Sequence, residues 1–223
     1  MKEDKLIIFF HIATIGNYKE IVNEIISHLE DSGLLKKAYK IYFSVVGSGE
    51  VDLPLNNNCS ISYDLDLNFG EFITLTKLKN LADFIESNVK ILYIHTKGAT
   101  SDPSNRPIKD WREYMLYFNV DRYKDMLNYL DSYDACGVDF VEDPAKHFSG
   151  NFWWANSSYI KSLPKIKEIS SIFSKVVLTL RHNAEFWIGM GNGKIKSVHD
   201  SNIDVYERHL HEYPEQRYNK KNI

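Results

Sequence analysis

Short apolar runs alternate with helix-period stripes through the first half of the chain. Leu6–Phe10 is a continuous run of strand formers, the pattern of a strand covered on both faces. After His11 to Gly16, Asn17 is placed to cap a helix with Glu20 reaching back to the cap, and Ile21, Val22, Ile25, Ile26 and Leu29 share one face of it. Gly33 stops that helix, and Lys40–Val46, closed by Gly47, is a second strand, giving a strand-helix-strand unit with a right-handed crossover. Pro54 and three consecutive asparagines mark a loop over 48–58, and Ser60–Tyr63 reads as a short strand. Leu75, Leu78, Leu81, Ala82 and Ile85 form the stripe of another helix, and Val89–Ile94 is an apolar strand that runs into His95-Thr96-Lys97-Gly98. This alternation predicts an α/β fold with a mostly parallel central sheet flanked by helices.

The second half has a different character. Residues 99–107 carry the turn chemistry of mobile loops beside active sites, and Trp111–Leu130 reads as one helix. Cys136–Phe140 and Lys196–Asp200 read as strands, while His147–Ala155 packs polar and aromatic residues around one glycine. With no internal repeat, the expectation is a single domain over 1–223. About 1–98 holds one substrate, about 99–215 supplies the other walls, and 219–223 is a frayed tail.

Composition narrows the classes. Lys and Arg number 27 against 30 Asp and Glu, for a formal net charge of -3, so the field of a duplex nucleic-acid binder is missing and no nucleic-acid partner is expected. No apolar stretch approaches the roughly 18 residues of a membrane span and no signal core follows Met1, so the expectation is a cytoplasmic protein without a span. Cys59 and Cys136 are too far apart for a zinc ribbon or a redox pair and read as reduced packing residues.

Ligands of open parallel sheets bind outside the carboxyl ends of the strands. Three segments here qualify: His11 to Gly16, Gly47 to Glu50 and His95 to Gly98. None spells a dinucleotide-binding or Walker A loop.

The segments Ile91-Leu-Tyr-Ile-His-Thr-Lys-Gly98, Trp111-Arg112, His147-Phe-Ser-Gly-Asn-Phe-Trp-Trp-Ala155 and Ala184-Glu-Phe-Trp-Ile-Gly189 together resemble a family of small GT-A-fold glycosyltransferases, of the kind associated with large algal viruses and bacterial surface polysaccharides. The resemblance spans roughly residues 6 to 200, the extent of one domain. It implies an enzyme that moves a hexosyl or deoxyhexosyl unit from a nucleotide diphosphate sugar, UDP-sugar first, to a hydroxyl of a glycan acceptor in polysaccharide biosynthesis. His11, Ala13, Thr14, His95, Thr96, Lys97 and Gly98 would bind the donor, and Gly150, Asn151, Trp153 and Trp154 the acceptor. Such enzymes usually hold a divalent metal, Mn2+ or Mg2+, on an Asp-x-Asp motif after a central strand. The matching position here reads His95-Thr96-Lys97, so Lys97 would meet the diphosphate directly, or a metal would be held elsewhere.

Asp64-Leu-Asp66 has the literal spelling of an acidic pair but also reads as a turn. Asp139 with Glu142-Asp143 reads as a metal site or a solvated loop, and His199 with Asp200 as metal donors or surface residues. Glu185 is the expected general base, desolvated by Phe186 and Trp187; the competing reading pairs it with Arg181 four residues earlier on a helix. Trp153 and Trp154 point to opposite faces if extended, one into the core and the other onto a sugar. Two other functions share these features: a non-catalytic carbohydrate-binding domain and a nucleotidyl-transfer enzyme on a similar sheet.

Overall fold

The computed structural model describes residues 5–169 and 180–218. A seven-stranded sheet runs in the order β3-β2-β1-β4-β8-β5-β9. Its strands are β1 (Leu6–Ala13), β2 (Lys40–Val46), β3 (Cys59–Asp64), β4 (Lys90–His95), β5 (Ala135–Gly137), β8 (Trp153–Asn156) and β9 (Ile195–Ser197). β1 to β4 pair in parallel, β8 runs antiparallel to both β4 and β5, and β5 pairs with β9 in parallel. A separate two-stranded ribbon joins β6 (Phe140–Val141) to β7 (His147–Phe148). The mostly parallel sheet of the sequence reading is therefore present.

Helices cover both faces. Ile8, Phe10, Ile12, Phe43, Val45, Leu92 and Ile94 pack on α1 (Tyr18–Asp31), α4 (Arg106–Leu116) and α5 (Tyr123–Tyr129), with the short α2 (Leu34–Lys37) beside them. Ile7, Phe9, Ile91 and Tyr93 pack on α3 (Glu71–Phe84), α6 (Ser157–Ser162) and α7 (Leu180–Phe186). Each central strand thus contributes alternate side chains to two cores, which is why these strands read as unbroken apolar runs.

Four local expectations need correction. Asn17 makes no side-chain cap; Gly16, at φ 56°, turns the chain so that the Asn17 amide donates to the Ala99 carbonyl at 3.0 Å. The helix expected over Trp111–Leu130 breaks at a π-helical turn, Tyr117–Asp121, where the Asn119 carbonyl accepts the Trp154 indole N–H at 2.8 Å. The strand expected over Cys136–Phe140 divides between the main sheet and the ribbon, because Asp139 adopts φ 52° between them. Trp153 and Trp154 do point to opposite faces, but both are 0% exposed, one in each core, so neither ring stacks on a sugar. The tail expected over 219–223 lies outside the described residues.

Candidate functional site

β1 and β4 align so that Ile7, Phe9 and His11 sit opposite Ile91, Tyr93 and His95 on one face of the sheet. That face turns from apolar to polar toward the carboxyl ends, where α3 begins. A cleft of about 210 Å³ opens there, lined by His11, Ala13, His95, Thr96, Gly98 and Glu71, with Ile15, Leu67 and Phe69 among its apolar wall and Ala184 of α7 at its far side. Five of the seven expected donor residues line it.

The other two face elsewhere. The Thr14 hydroxyl donates to the Val46 carbonyl at 3.1 Å and accepts the Gly49 amide at 3.0 Å, tying the loop after β1 to the loop after β2. Lys97 is buried with its ammonium 4.0 Å from the centre of the Trp111 ring. Arg112, also buried, donates to the Lys97 carbonyl at 3.0 Å and forms a two-pronged pair with Glu24 of α1 at 3.1 and 2.6 Å, so it anchors the loop after β4.

Glu71, absent from the sequence expectations, is the hub of the cleft floor. Its Oε2 accepts from the Tyr93 hydroxyl at 2.7 Å and from Asn151 Nδ2 at 2.7 Å, and Asn151 Oδ1 accepts the Trp153 indole N–H at 2.8 Å. A carboxylate at the first residue of a helix is favoured by the helix dipole. His95 Nε2 carries the proton it donates to the Gly150 carbonyl at 2.9 Å, while its Nδ1 stands 3.9 Å from Glu71 Oε1. Gly150 and Asn151 are therefore wound into the support of the cleft: Asn151 is 0% exposed, and a Cβ on Gly150 would meet Met115 Sδ at 2.5 Å. Neither presents an open acceptor surface.

Glu185 is half-buried on α7, next to Ala184, and its charge acts on Tyr93 and on His147. Tyr93 thus lies under the influence of two carboxylates, and burial together with Glu71 and Glu185 holds its hydroxyl protonated. The side chain of Arg181 falls outside the described residues. His147 is buried, its Nδ1 2.7 Å from the Ala145 carbonyl, and burial lowers its pKa.

The acidic pairs resolve individually. Asp64 and Asp66 accept the amides of Asp66 and Asn68 at 3.0 and 2.9 Å, the geometry of successive turns. Asp139 is buried against Arg208 and accepts from Ser201, while Glu142 faces Lys146 at 3.7 Å and Asp143 accepts from Tyr206 at 3.0 Å. His199 Nδ1 pairs with the Tyr114 hydroxyl at 2.9 Å, and Asp200 accepts from Ser197 at 2.6 Å. Among the described residues no group of three or more His, Cys, Asp or Glu is placed to hold a metal, so His199 and Asp200 are not completed into a metal site. No helix among those residues is long and apolar enough to cross a membrane.

His11 gives the cleft a pH dependence. Its Nδ1 lies 2.8 Å from Thr74 Oγ1, and burial, opposed by Glu71, lowers its pKa from 6.5 to about 4. Above 6.5 the folded and unfolded states are both neutral at this site; below it the unfolded chain binds a proton that the fold refuses. Stability therefore falls as pH drops from 6.5 toward 4, by up to about 3 kcal/mol from this residue. Urea melts of the wild type and His11→Asn over pH 4 to 7 should show a shallower slope in the variant; parallel curves would remove His11 as the cause.

The chain belongs to the family described as "Domain of unknown function (DUF8361)", whose model matches residues 9–202. No curated protein matches it. Among solved structures it is similar to Rv0371C of Mycobacterium tuberculosis H37Rv, crystallised as a complex with manganese, at 8% identity and a TM-score of 0.41 over 93% of this chain and 98% of that one. It is also similar to a putative hemolysin from Streptococcus thermophilus, at 15% identity and a TM-score of 0.25 over 78% of this chain and 69% of that one.

Proposed function

We propose that this chain is a glycosyltransferase on a GT-A-type domain, moving a monosaccharide from a nucleotide diphosphate sugar, UDP-sugar first, to a hydroxyl of a glycan. One observation carries the reading: the cleft at the carboxyl ends of β1 and β4, where His11, Ala13, His95, Thr96 and Gly98 meet a buried carboxylate. Ile15, Leu67 and Phe69 offer an apolar wall to a base. Thr96 Oγ1 accepts the Ala13 amide at 3.0 Å, and its own proton would be donated to a ligand oxygen. Lys97 supplies the counter-charge of the diphosphate by turning from the Trp111 ring toward the cleft to make a charge-assisted hydrogen bond.

In the transfer step the acceptor oxygen bonds to the anomeric carbon, the bond from that carbon to the diphosphate oxygen breaks with its electron pair on the diphosphate, and Glu185 takes the hydroxyl proton. No step is assigned to a metal, because the described donors do not assemble a site for one. The burial of both Trp153 and Trp154 removes the surface on which a purely carbohydrate-binding reading rested.

Calorimetric titration with UDP, GDP and UDP-glucose, each with and without Mn2+, tests the proposal. Saturable binding of a nucleoside diphosphate, weakened about tenfold by Lys97→Ala, is the expected result. Absence of binding by all three ligands in both conditions would overturn it.

A further inference from the structure

A second cleft, of about 210 Å³, adjoins α4 at Tyr114, and Tyr213, Tyr218, His199, Asp200 and Ser201 are among the residues that line it. The rings around Tyr114 are inclined to it, by 39° for Tyr213, 68° for His199 and 71° for Tyr218. They form a cup and not the parallel slot that a flat base would fill. Among the described residues no Lys or Arg lines the cleft, and Asp200 is exposed at its rim, a setting that disfavours an anion. The polar groups suit hydroxyls instead. Asp200 Oδ1 is held by the Ser197 hydroxyl at 2.6 Å, which fixes the carboxylate at the edge of the cup. The Tyr213 hydroxyl, on a side chain only 3% exposed, stands beside Ser201 and Arg208. The half-buried rings of Tyr218 and His199, with the exposed Asp200 carboxylate and the Ser201 hydroxyl beside them, are the chemistry that holds a sugar ring.

We infer that this cup is a carbohydrate subsite, binding one neutral pyranose unit of the acceptor glycan away from the reacting hydroxyl. The inference rests on the transferase reading for the word acceptor, but the sugar site itself does not. The two clefts are linked through the fold: Lys97 lies between two residues that line the first, its ammonium lies on Trp111, and Trp111 stacks on Tyr213 at 6.4 Å and 7°. The site also replaces the expected acceptor surface at Trp153 and Trp154, which the core absorbs.

Saturation-transfer NMR with the methyl glycosides of glucose, galactose, mannose, N-acetylglucosamine and fucose tests the inference. At least one is expected to bind saturably in the millimolar range. Asp200→Ala, at an exposed position, should weaken it about tenfold while the melting temperature stays at the wild-type value. Tyr218→Leu, which removes one wall, should weaken it comparably. Binding of no glycoside, or binding indifferent to both substitutions, would overturn the site. UDP titration of the same samples separates the two readings: glycoside binding without nucleotide binding keeps the sugar site and sinks the transferase, whereas nucleotide binding without glycoside binding does the reverse.

Discussion

Glu71→Ala is expected to destabilise the fold by about 4 kcal/mol and to abolish ligand binding in the first cleft. The carboxylate accepts two hydrogen bonds from side chains that are 0% exposed, Tyr93 and Asn151, and removing it leaves both donors buried without an acceptor. Each such orphan costs about 1–3 kcal/mol, and the truncated side chain adds a small void. Asn151 would lose its position, and with it the acceptor of the Trp153 indole and the backbone beside Gly150 that holds His95. For a chain of this size the melting temperature should fall by roughly 8–16 °C. Glu71→Gln can place its carbonyl oxygen at the Oε2 position, where both donors converge, and its amide on the side of His95 Nδ1, so only a small part of the loss is expected. Thermal melts paired with UDP titration check both variants; a Glu71→Ala protein within about 1 kcal/mol of wild type would mean that water replaces the carboxylate and that the network is not the support of the cleft.

What was legible in the chain tracks how far each signal reaches along it. Strands β1, β2 and β4 read as predominantly apolar runs because both faces are covered, and that property is local. The carboxyl-end segments after β1 and β4 were identifiable for the same reason, since a strand that ends in His11 or His95 announces where its polar end lies. Glu71 was not, because nothing within α3 distinguishes it from an ordinary acidic first-turn residue. Its role comes from Tyr93 and Asn151, 22 and 80 positions away. The one sequence signal available was the matched alternation Ile7-Phe9-His11 and Ile91-Tyr93-His95, which demands a polar partner above that face. The direction of β8 and the break after Leu116 were hidden for a related reason. Strand direction leaves no trace in a four-residue run, and the π-helical turn, whose Asn119 carbonyl accepts the distant Trp154 indole, is marked by no proline or glycine at Tyr117–Asp121. The adjacent tryptophans show the limit from the other side: their alternation was correct, but alternation cannot distinguish a core from a binding surface when both faces of the sheet are covered.

Asp139→Asn is expected to cost about 3 kcal/mol and to loosen the second cleft while sparing the first. Asp139 and Arg208 are 1% and 4% exposed, and they pair directly; the carboxylate also accepts the Ser201 amide at 2.6 Å and its hydroxyl at 2.9 Å. Burial outweighs the pull of Arg208 and pushes the Asp139 carboxyl up, so the pair adds little net stability of its own. Breaking it is a different matter, because the guanidinium is left charged and buried without a counter-ion, a loss of about 3–5 kcal/mol, softened here by the hydrogen bond that an asparagine oxygen can still accept. Asparagine also tolerates the left-handed backbone at φ 52°, which alanine would strain. The double variant Asp139→Asn, Arg208→Met removes the stranded charge and should recover most of the loss. Ser201 is the contact through which this reaches function, since it lines the second cleft and is held in place by Asp139. Denaturant melts of the cycle, with glycoside and UDP binding on each member, should show Asp139→Asn losing glycoside binding but retaining UDP. Equal losses at both clefts would instead make the Asp139 and Arg208 pair a support of the whole domain.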